Sequence, residues 1–330
     1  MSRHADRTAG LPAPKGVTDP VILIAGPTAS GKSALALDLA EALDGVVINA
    51  DSMQVYRDLQ VLTARPDATA EARVPHRLYG VIDGGEACSA ARWRDLAVAE
   101  IAAAQAAGKR AIVVGGTGLY LRALTHGLAP VPEVPASVRA EAVAMAETQG
   151  VAALRADLAR RDPVMAARLR PTDRQRLIRA WEVVVATGRS LADWQRAPPD
   201  QPAIATRWII VLPDRPRLYA ACNARFAAMV DRGALEEVRR LSARNLDPAL
   251  PVMKALGVPE LRAVLQGQMD LPAAIAAAQQ ATRRYAKRQT TWLRTQVLAD
   301  PRRTHIAAML DAQYSESLRQ EIIHKICDTR

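Results

Sequence analysis

The stretch Val-Ile-Leu-Ile-Ala-Gly-Pro-Thr-Ala-Ser-Gly-Lys-Ser, residues 21–33, decides the fold of this chain. Its first five residues are apolar, which predicts a buried strand. The next eight match G-x-x-x-x-G-K-[ST], a loop whose backbone N–H groups turn inward on phosphate oxygens, while Lys32 adds a charge and Ser33 can hold a magnesium ion. Residues 33–43 repeat apolar side chains at helical spacing, so the positive end of a helix is expected to face the anion. These features predict a polyphosphate site, whereas a simple Gly/Ser turn explains neither Lys32 nor Ser33.

Composition limits the class of protein. With 330 residues, 49% of them hydrophobic, the chain is expected to form a main domain and a smaller one. The net charge of +10 predicts a polyanionic partner such as nucleic acid, with a solvated basic surface as the alternative. The three cysteines are far apart and suggest neither disulfides nor a zinc site, which fits the cytoplasm. No apolar stretch is long enough to span a membrane, and the polar first twenty residues predict a disordered tail.

Short β-branched runs alternate with helical stretches rich in Ala and Leu. The runs are Val21–Ala25, Val46–Asn49, Ala111–Val114 and Trp208–Leu212. This alternation predicts a parallel sheet with helices on both faces. Because ligands bind at the carboxyl ends of such strands, the residues just past each run are candidates for the site. They are Gly26–Ser33, Asp51–Gln54, Gly115–Gly118 and Pro213–Arg215.

Between about residues 130 and 202 the strand signal disappears, which predicts an inserted helical domain. Its last helix is expected to begin near Thr172 or Asp173, with apolar side chains on one face. Those side chains are Leu177, Ile178, Trp181, Val184 and Val185. The other face carries Gln175, Arg176 and Arg179, which suits RNA contact or a solvated helix back equally.

A second basic helix is predicted at residues 282–294, where cations alternate with Tyr285 and Trp292. Cations on a helix can follow phosphates, and aromatic rings can stack on bases. The two aromatic residues are seven positions apart and so lie on one stripe, which favours a core position for them. Phosphate contacts are expected for Arg283, Lys287 and Arg288.

The positions of acidic residues at strand ends indicate which reactions the site could catalyse. Many enzymes with this phosphate loop place a metal-organising aspartate after another strand, but here Ala111–Val114 is followed by Gly-Gly-Thr-Gly. The acid at a strand end near the loop is Asp51, followed by Ser52 and Gln54, a set that can hold and deprotonate a polar substrate. A surface aspartate in a turn is the alternative, and the residues alone leave both open.

Seven motifs, in order between about residues 21 and 300, resemble those of the bacterial tRNA dimethylallyltransferases, which prenylate adenosine 37 beside the anticodon. They are Gly26–Ser33, Asp51-Ser-Met-Gln-Val-Tyr56, Thr63-Ala-Arg-Pro66, Pro75-His76, Gly115-Gly-Thr-Gly-Leu-Tyr120, Gln175-Arg-Leu-Ile-Arg179 and Ala286-Lys-Arg-Gln-Thr-Thr-Trp292. The resemblance implies a P-loop NTPase-like parallel sheet core with an inserted all-helical domain that closes over the anticodon loop.

The resemblance also implies roles for individual residues. The loop would bind the diphosphate of dimethylallyl diphosphate, with Mg²⁺ at Ser33, rather than ATP; its residues are Gly26, Pro27, Thr28, Ala29, Ser30, Gly31, Lys32 and Ser33. Arg225 would join them on the diphosphate. Asp51 would be the general base for the adenine N6 amine, and the Thr117 hydroxyl would contact the reacting groups. Contacts with tRNA are implied or expected for Asp51, Ser52, Met53, Gln54, Thr117, Arg139, Gln175, Arg176, Leu177, Ile178, Arg179, Lys254, Arg283, Lys287 and Arg288.

Some positions depart from the family pattern. Arg65 stands where a lysine is usual, Val258 and Pro259 stand where an aromatic and a basic residue are common, and Ala221 replaces a common arginine. The expected domains are residues 1–20 (tail), 21–129 (first part of the core), 130–204 (helical tRNA-binding domain), 205–312 (second part of the core and basic helix) and 313–330 (tail).

Two other functions are compatible with a phosphate loop. A small-molecule or nucleotide kinase would use the same loop for ATP, but it should have an acidic strand end. A non-catalytic RNA-binding protein would keep the loop as a relic, but Lys32, Ser33, Asp51 and Thr117 are intact. A monomer without an obligate protein partner or membrane association is expected.

Overall fold

The computed structural model describes residues 19–200, 204–299 and 305–308, the last four by their backbone alone. The predicted tails, residues 1–20 and 313–330, fall outside this range except for residues 19 and 20. The chain divides into two compact units, one within residues 1–121 and 204–330 and the other within residues 122–203. The expected limits of the domains and their roles stay predictions.

The first unit contains a parallel β-sheet, as the alternation of strands and helices predicts. Its strands are β1 (Val21–Ala25), β2 (Gly45–Asn49), β3 (His76–Arg77), β4 (Arg110–Gly115), β5 (Thr206–Val211) and β6 (His305–Ala308). They lie in the order β3-β2-β4-β1-β5-β6, and every pair is parallel. All residues of β1 and β2 are buried, which explains their continuous apolar sequences. Strands β3 and β6 were not predicted, because both are short and β3 has no apolar residue.

Helices connect and flank the strands. In chain order they are α1 (Lys32–Ala42), α2 (Ala68–Arg73), α3 (Ala90–Ala106), α4 (Gly118–His126), α5 (Ala136–Thr148), α6 (Val151–Arg161), α7 (Pro163–Arg168), α8 (Arg174–Thr187), α9 (Leu191–Arg196), α10 (Arg215–Asp231), α11 (Ala234–Ala243), α12 (Val258–Leu265) and α13 (Leu271–Trp292). A 3₁₀ turn covers Pro251–Lys254, and Leu293–Val297 forms a π-helical segment. In the described part of the chain, no helix is both long enough and apolar enough to cross a membrane.

The second unit, as far as it is described, is built from helices and has its own core. α8 begins after Asp173, whose carboxylate accepts a hydrogen bond from the Arg176 N–H, so the predicted cap is confirmed. Leu177, Ile178 and Trp181 are buried, as the helical spacing indicates. The Trp181 indole donates to Asp157 Oδ2 at 2.6 Å, which satisfies the ring nitrogen inside the core.

Candidate active site

A pocket of about 490 Å³ lies at the carboxyl ends of the strands in the first unit. Its walls come from segments that are far apart in sequence: the loop after β1, Asp51 after β2, the end of β4, and the start of α10 after β5. The lining residues are Thr28, Ala29, Ser30, Gly31, Lys32, Ser33, Ala34, Asp51, Gln54, Thr63, Ala64, Val114, Pro213, Asp214, Arg217, Leu218, Ala221 and Arg225. The structure thus brings the phosphate loop, Asp51 and Arg225 to one pocket.

The phosphate loop is held in a conformation that most residues avoid. Ala29 has φ 61° and Gly31 has φ 86°, both in the left-handed region. Gly26 leaves room for Ser30, since a Cβ there would lie 2.6 Å from Ser30 Oγ and 2.8 Å from the Val211 carbonyl oxygen. Ser30 Oγ is buried and has no hydrogen-bond partner among the described residues. A buried hydroxyl without a hydrogen-bond partner costs free energy, and a phosphate oxygen bound in the loop would supply the partner.

Lys32 lies at the base of this pocket. Its ammonium group donates to the Pro27 carbonyl oxygen at 3.2 Å. Burial lowers the pKa of Lys32 to about 8; the charge of Asp51 opposes this shift and the charge of Arg225 adds to it. The lysine is therefore a cation short of negative partners, and an anionic ligand would stabilise its charged form.

Helix α10 adds two guanidinium groups. Arg225 donates to Thr28 Oγ1, and burial lowers the pKa of Arg225. Arg217 also lines the pocket, and its Nε lies 3.3 Å from Asp214 Oδ2. Arg217 was not predicted as a site residue, although its position eight residues before Arg225 puts both near one face of the helix. Ala221 lies between them in sequence and lines the same pocket.

Asp51 is held in a tight turn after β2. Its N–H donates to Asn49 Oδ1 at 2.7 Å, and its Oδ1 accepts from the Met53 N–H at 2.9 Å. The next residue is tied to the end of β4, because the Ser52 N–H donates to Thr117 Oγ1 at 3.0 Å and the Thr117 hydroxyl lies 3.3 Å from Ser52 Oγ. The two candidate reaction residues, Asp51 and Thr117, are thus fixed relative to each other through Ser52.

Two phenols lie near the Asp51 carboxylate. Burial chiefly, and the Asp51 charge in addition, raise the pKa of Tyr79 and of Tyr285. Both phenols therefore stay neutral near physiological pH and act as hydrogen-bonding groups. Tyr285 is half-buried, as is Trp292, and the Trp292 ring occupies the space that a Cβ on Gly118 would need. The expectation of a core position for these aromatics is confirmed only in part, because both are half-buried and the Trp292 ring packs against Gly118, next to Thr117.

The opposite wall of the pocket, Thr63 and Ala64, is positioned by polar side chains. Gln54 Nε2 donates to the carbonyl oxygens of both residues, at 2.8 and 3.0 Å. The preceding loop is held by the buried Glu237 carboxylate of α11, which accepts backbone N–H groups of Gln60, Val61 and Leu62 at 2.6 to 2.9 Å. Glu237 was not predicted as a supporting residue, because no local sequence pattern marks it as the partner of a loop some 175 residues away.

Comparisons with known proteins identify the family. Residues 54–296 match the family described as IPP transferase. The chain is 62% identical over 284 residues to the tRNA dimethylallyltransferase of Rhodospirillum centenum, covering 86% of this chain and 90% of that protein. The chain belongs to the IPP transferase family. The corresponding protein of Rhodospirillum rubrum is 56% identical to this IPP transferase, covering 92% and 93% of the two chains.

Solved structures agree with this assignment. The crystal structure of the full-length tRNA isopentenylpyrophosphate transferase from Bacillus halodurans is 33% identical, with a TM-score of 0.65, and the match covers 93% of this chain and 95% of that one. A eukaryotic dimethylallyltransferase acting on tRNA is 26% identical, with a TM-score of 0.78, and the match covers 92% and 78%. The chain is therefore a prenyltransferase.

In the second unit of this IPP transferase, the residues expected to contact RNA differ in their surroundings. Gln175 and Arg176 are exposed. Arg139 and Arg179 share the buried carboxylate of Glu182, at 3.2 and 2.7 Å. The side chains of Leu177 and Ile178 are buried in the core, so the expectation that they contact RNA is corrected: they support the exposed side chains of α8 instead.

The remaining cations expected to bind RNA belong to the first unit of this IPP transferase. Lys287 and Arg288 are exposed on α13. Arg283 donates to Asn223 Oδ1 at 2.6 Å and is partly buried, and Lys254 is exposed with its ammonium on the Ala249 carbonyl oxygen at 2.7 Å. Arg65 is half-buried, and its guanidinium donates to the carbonyl oxygens of Tyr56 and Arg57, so it supports the segment that leads to the pocket wall.

Proposed function

We propose that this IPP transferase moves the dimethylallyl group of dimethylallyl diphosphate to N6 of adenosine 37 in tRNA and releases diphosphate. A bond forms between N6 and the allylic carbon, the bond from that carbon to the diphosphate oxygen breaks, and the N6 proton goes to a base. The observation that carries the proposal is the joining of a cationic phosphate loop and a strand-end carboxylate in one pocket. The phosphate loop suits the diphosphate of the donor, and the carboxylate suits the amine of the acceptor.

The donor would bind with its diphosphate in the phosphate loop. Loop N–H groups and the Ser30 hydroxyl can donate to the phosphate oxygens, and Lys32 and Arg225 supply positive charge. The negative charge on the leaving group grows in the transition state, so cations aimed at it accelerate departure as well as binding.

A magnesium ion fits this site when it arrives with the diphosphate. Mg²⁺ is commonly held by one or two protein oxygens, substrate phosphates and water. No group of three or more His, Cys, Asp or Glu residues among the described positions forms a metal cage. The Ser33 hydroxyl, exposed at the start of α1, is the protein ligand that we propose. When bound, the ion would neutralise charge on the departing diphosphate.

The acceptor amine would approach from the Asp51 side of the pocket. An exocyclic amine is a poor nucleophile, so removal of its proton during attack is the task of a general base. One oxygen of Asp51 is engaged by the Met53 N–H, and we assign the N6 proton to the other. Thr117, fixed by Ser52, would orient the amine by hydrogen bonding.

The fold and the partner belong to the same proposal. We propose a P-loop NTPase-like core, in which the helical unit is an inserted domain that binds the anticodon stem-loop. Flipping the base out of the stack costs a few kcal/mol, which phosphate contacts by the basic side chains would offset. A monomer working in the cytoplasm, where tRNA is modified, stays our prediction.

One incubation tests the proposal against its alternatives. The protein, dimethylallyl diphosphate, Mg²⁺ and unmodified tRNA are combined, and the nucleosides are analysed by mass spectrometry. The proposal requires dimethylallyl adenosine at position 37. Phosphate transfer from ATP to a small molecule would indicate the kinase, and tight tRNA binding without modified nucleoside would indicate an RNA-binding protein.

A further inference from the structure

A single buried amide side chain joins the donor side of the pocket to the acceptor side. Gln289 Oε1 accepts a hydrogen bond from the Thr28 N–H at 2.8 Å, and its Nε2 donates to the Gly116 carbonyl oxygen at 2.9 Å. Gln289 is 5% exposed and lies on α13, 261 residues from Thr28 in the sequence. These two partners are backbone atoms, so the amide ties the two main-chain segments together directly; the amide also hydrogen-bonds with the Tyr285 phenol on the same helix.

The two hydrogen bonds lie just beyond the ends of β1 and β4, where the pairing between these two strands stops. The ladder between β1 and β4 ends at the pair Ala25 and Gly115. Beyond it, one segment becomes the phosphate loop and the other leads to Thr117. Gln289 continues the pairing across the gap, with its amide taking the place of a peptide unit.

The surroundings are shaped for this contact. A Cβ on Gly116 would lie 2.3 Å from Gln289 Nε2 and 2.7 Å from the Gly26 carbonyl oxygen, so only glycine permits the approach. Losing the amide would leave a buried N–H and a buried carbonyl without partners, a cost that a similarly sized apolar residue does not recover.

We propose that Gln289 is a positioning residue that sets the distance between the diphosphate loop and the Thr117 and Asp51 side of the site. The inference rests on the proposed function, since it assigns the loop to the donor and Thr117 to the acceptor. Displacement requires the allylic carbon and the amine to be held at about 3 to 3.5 Å, and a displacement of about 1 Å can cost roughly 10²-fold in rate. Gln289 is not among the residues that line the pocket, so it would act through the two segments that it joins.

Gln279 provides a matched control on the same helix. Its Nε2 donates to the Asn223 carbonyl oxygen at 3.1 Å and so ties α13 to α10, away from the loops. Gln289→Met and Gln279→Met each remove one amide tether of α13 without changing charge. Gln289→Glu is a second test: it keeps an acceptor for the Thr28 N–H, but sets a carboxylate oxygen against the Gly116 carbonyl.

The experiment compares single-turnover rates at saturating donor and tRNA, the affinity for Mg²⁺-pyrophosphate, the melting temperature and hydrogen exchange at the Thr28 amide. For Gln289→Met we expect a rate lower by on the order of 10²-fold and faster exchange at Thr28, with Gln279→Met within about twofold of the parent rate. Gln289→Glu should lose rate similarly and bind pyrophosphate more weakly than Gln289→Met, because its charge repels the anion.

The outcomes distinguish failure of the role proposed for Gln289 from failure of the proposed function. If Gln289→Met and Gln279→Met match in rate, pyrophosphate affinity and Thr28 exchange, and differ only in melting temperature, Gln289 is a structural residue and the inference is wrong. If the unaltered protein makes no prenylated nucleoside, the proposed function fails, and the exchange and pyrophosphate measurements still decide whether Gln289 orders the loop.

Discussion

Ser52 and Thr117 connect the ends of two neighbouring strands, with the Ser52 N–H donating to Thr117 Oγ1 at 3.0 Å. Strands β2 and β4 are adjacent in the sheet, and this contact extends their pairing into the loops that carry Asp51 and Thr117, the residues that we propose for the reaction. It leaves Asp51 on the pocket wall with its backbone held on both sides. A carboxylate placed this rigidly costs little reorganisation when it accepts a proton.

Replacing Asp51 by Asn tests its role as the base. Asn keeps an oxygen for the Met53 N–H but removes the proton acceptor, so we expect the single-turnover rate to fall by roughly 10²- to 10⁴-fold. Donor and tRNA binding should change far less. Asp67→Asn, at the exposed cap of α2, is the control. A near-normal rate for Asp51→Asn would show that another group takes the proton.

Replacing Arg217 by Ala tests whether this pocket residue binds the donor. Its surface ion pair with Asp214 is weak, so a diphosphate can recruit the guanidinium. We expect KM for dimethylallyl diphosphate to rise about 10-fold, the usual scale for a hydrogen bond to a charged group, while KM for tRNA stays unchanged. Arg215→Ala is the control, because Arg215 lies over Tyr219 and does not line the pocket. Equal effects of the two variants would mean that general charge alone matters.

The pKa of Lys32 predicts a pH dependence of donor binding. With the pKa lowered to about 8, Lys32 loses its proton as the pH rises through that value, so the affinity for a non-reactive thiolo analogue of the donor should fall. Lys32→Arg, which stays charged, should remove this dependence. A parent affinity that is flat between pH 7 and about 9 would contradict the assignment.

The same shift affects stability with a defined sign. Between about pH 8 and the ordinary value of 10.5, the unfolded chain binds a proton at Lys32 that the folded protein does not. The contribution of Lys32 to the free energy of unfolding therefore increases with pH across this window, and Lys32→Met should remove that increase. Denaturant unfolding of both proteins at several pH values measures it.

Arg176 and Arg196 form a matched pair for testing RNA contact by the helical unit. Each side chain is 75% exposed and pairs with an aspartate three residues earlier. We expect Arg176→Ala to raise KM for tRNA and lower the salt slope of binding by about one, and Arg196→Ala to do neither. Arg179 is a poorer test, because its removal would deprive the buried Glu182 of a partner. Unchanged tRNA binding by folded Arg176→Ala would indicate a solvated helix back.

Glu237→Gln should destabilise the protein through the pocket wall. The carboxylate accepts three backbone N–H groups, and an amide cannot replace it, so we expect the free energy of unfolding to fall by roughly 2 to 4 kcal/mol. Glu236→Gln, at an exposed neighbour that pairs with Arg239 and, at 3.9 Å, with Arg240, should change it by less than about 0.5 kcal/mol, because exposed ion pairs contribute little. Denaturant titrations of the two variants give the comparison, and similar losses would show that the three bonds contribute little.

The sequence by itself determined the phosphate loop, the main parallel strands and the presence of Asp51 and Thr117 at strand ends. These follow from local patterns, because a strand, a turn and a helix start are each encoded within a few residues, and parallel strands present their ends at one edge. The family motifs then predicted the reaction, a prenyl transfer. The tertiary structure alone decided how the site is held, through Gln289 across 261 residues, Glu237 across some 175, and Arg217 on the pocket face of α10. No local pattern encodes these contacts, since a polar side chain acquires its partner only when packing brings distant backbone atoms within hydrogen-bonding distance.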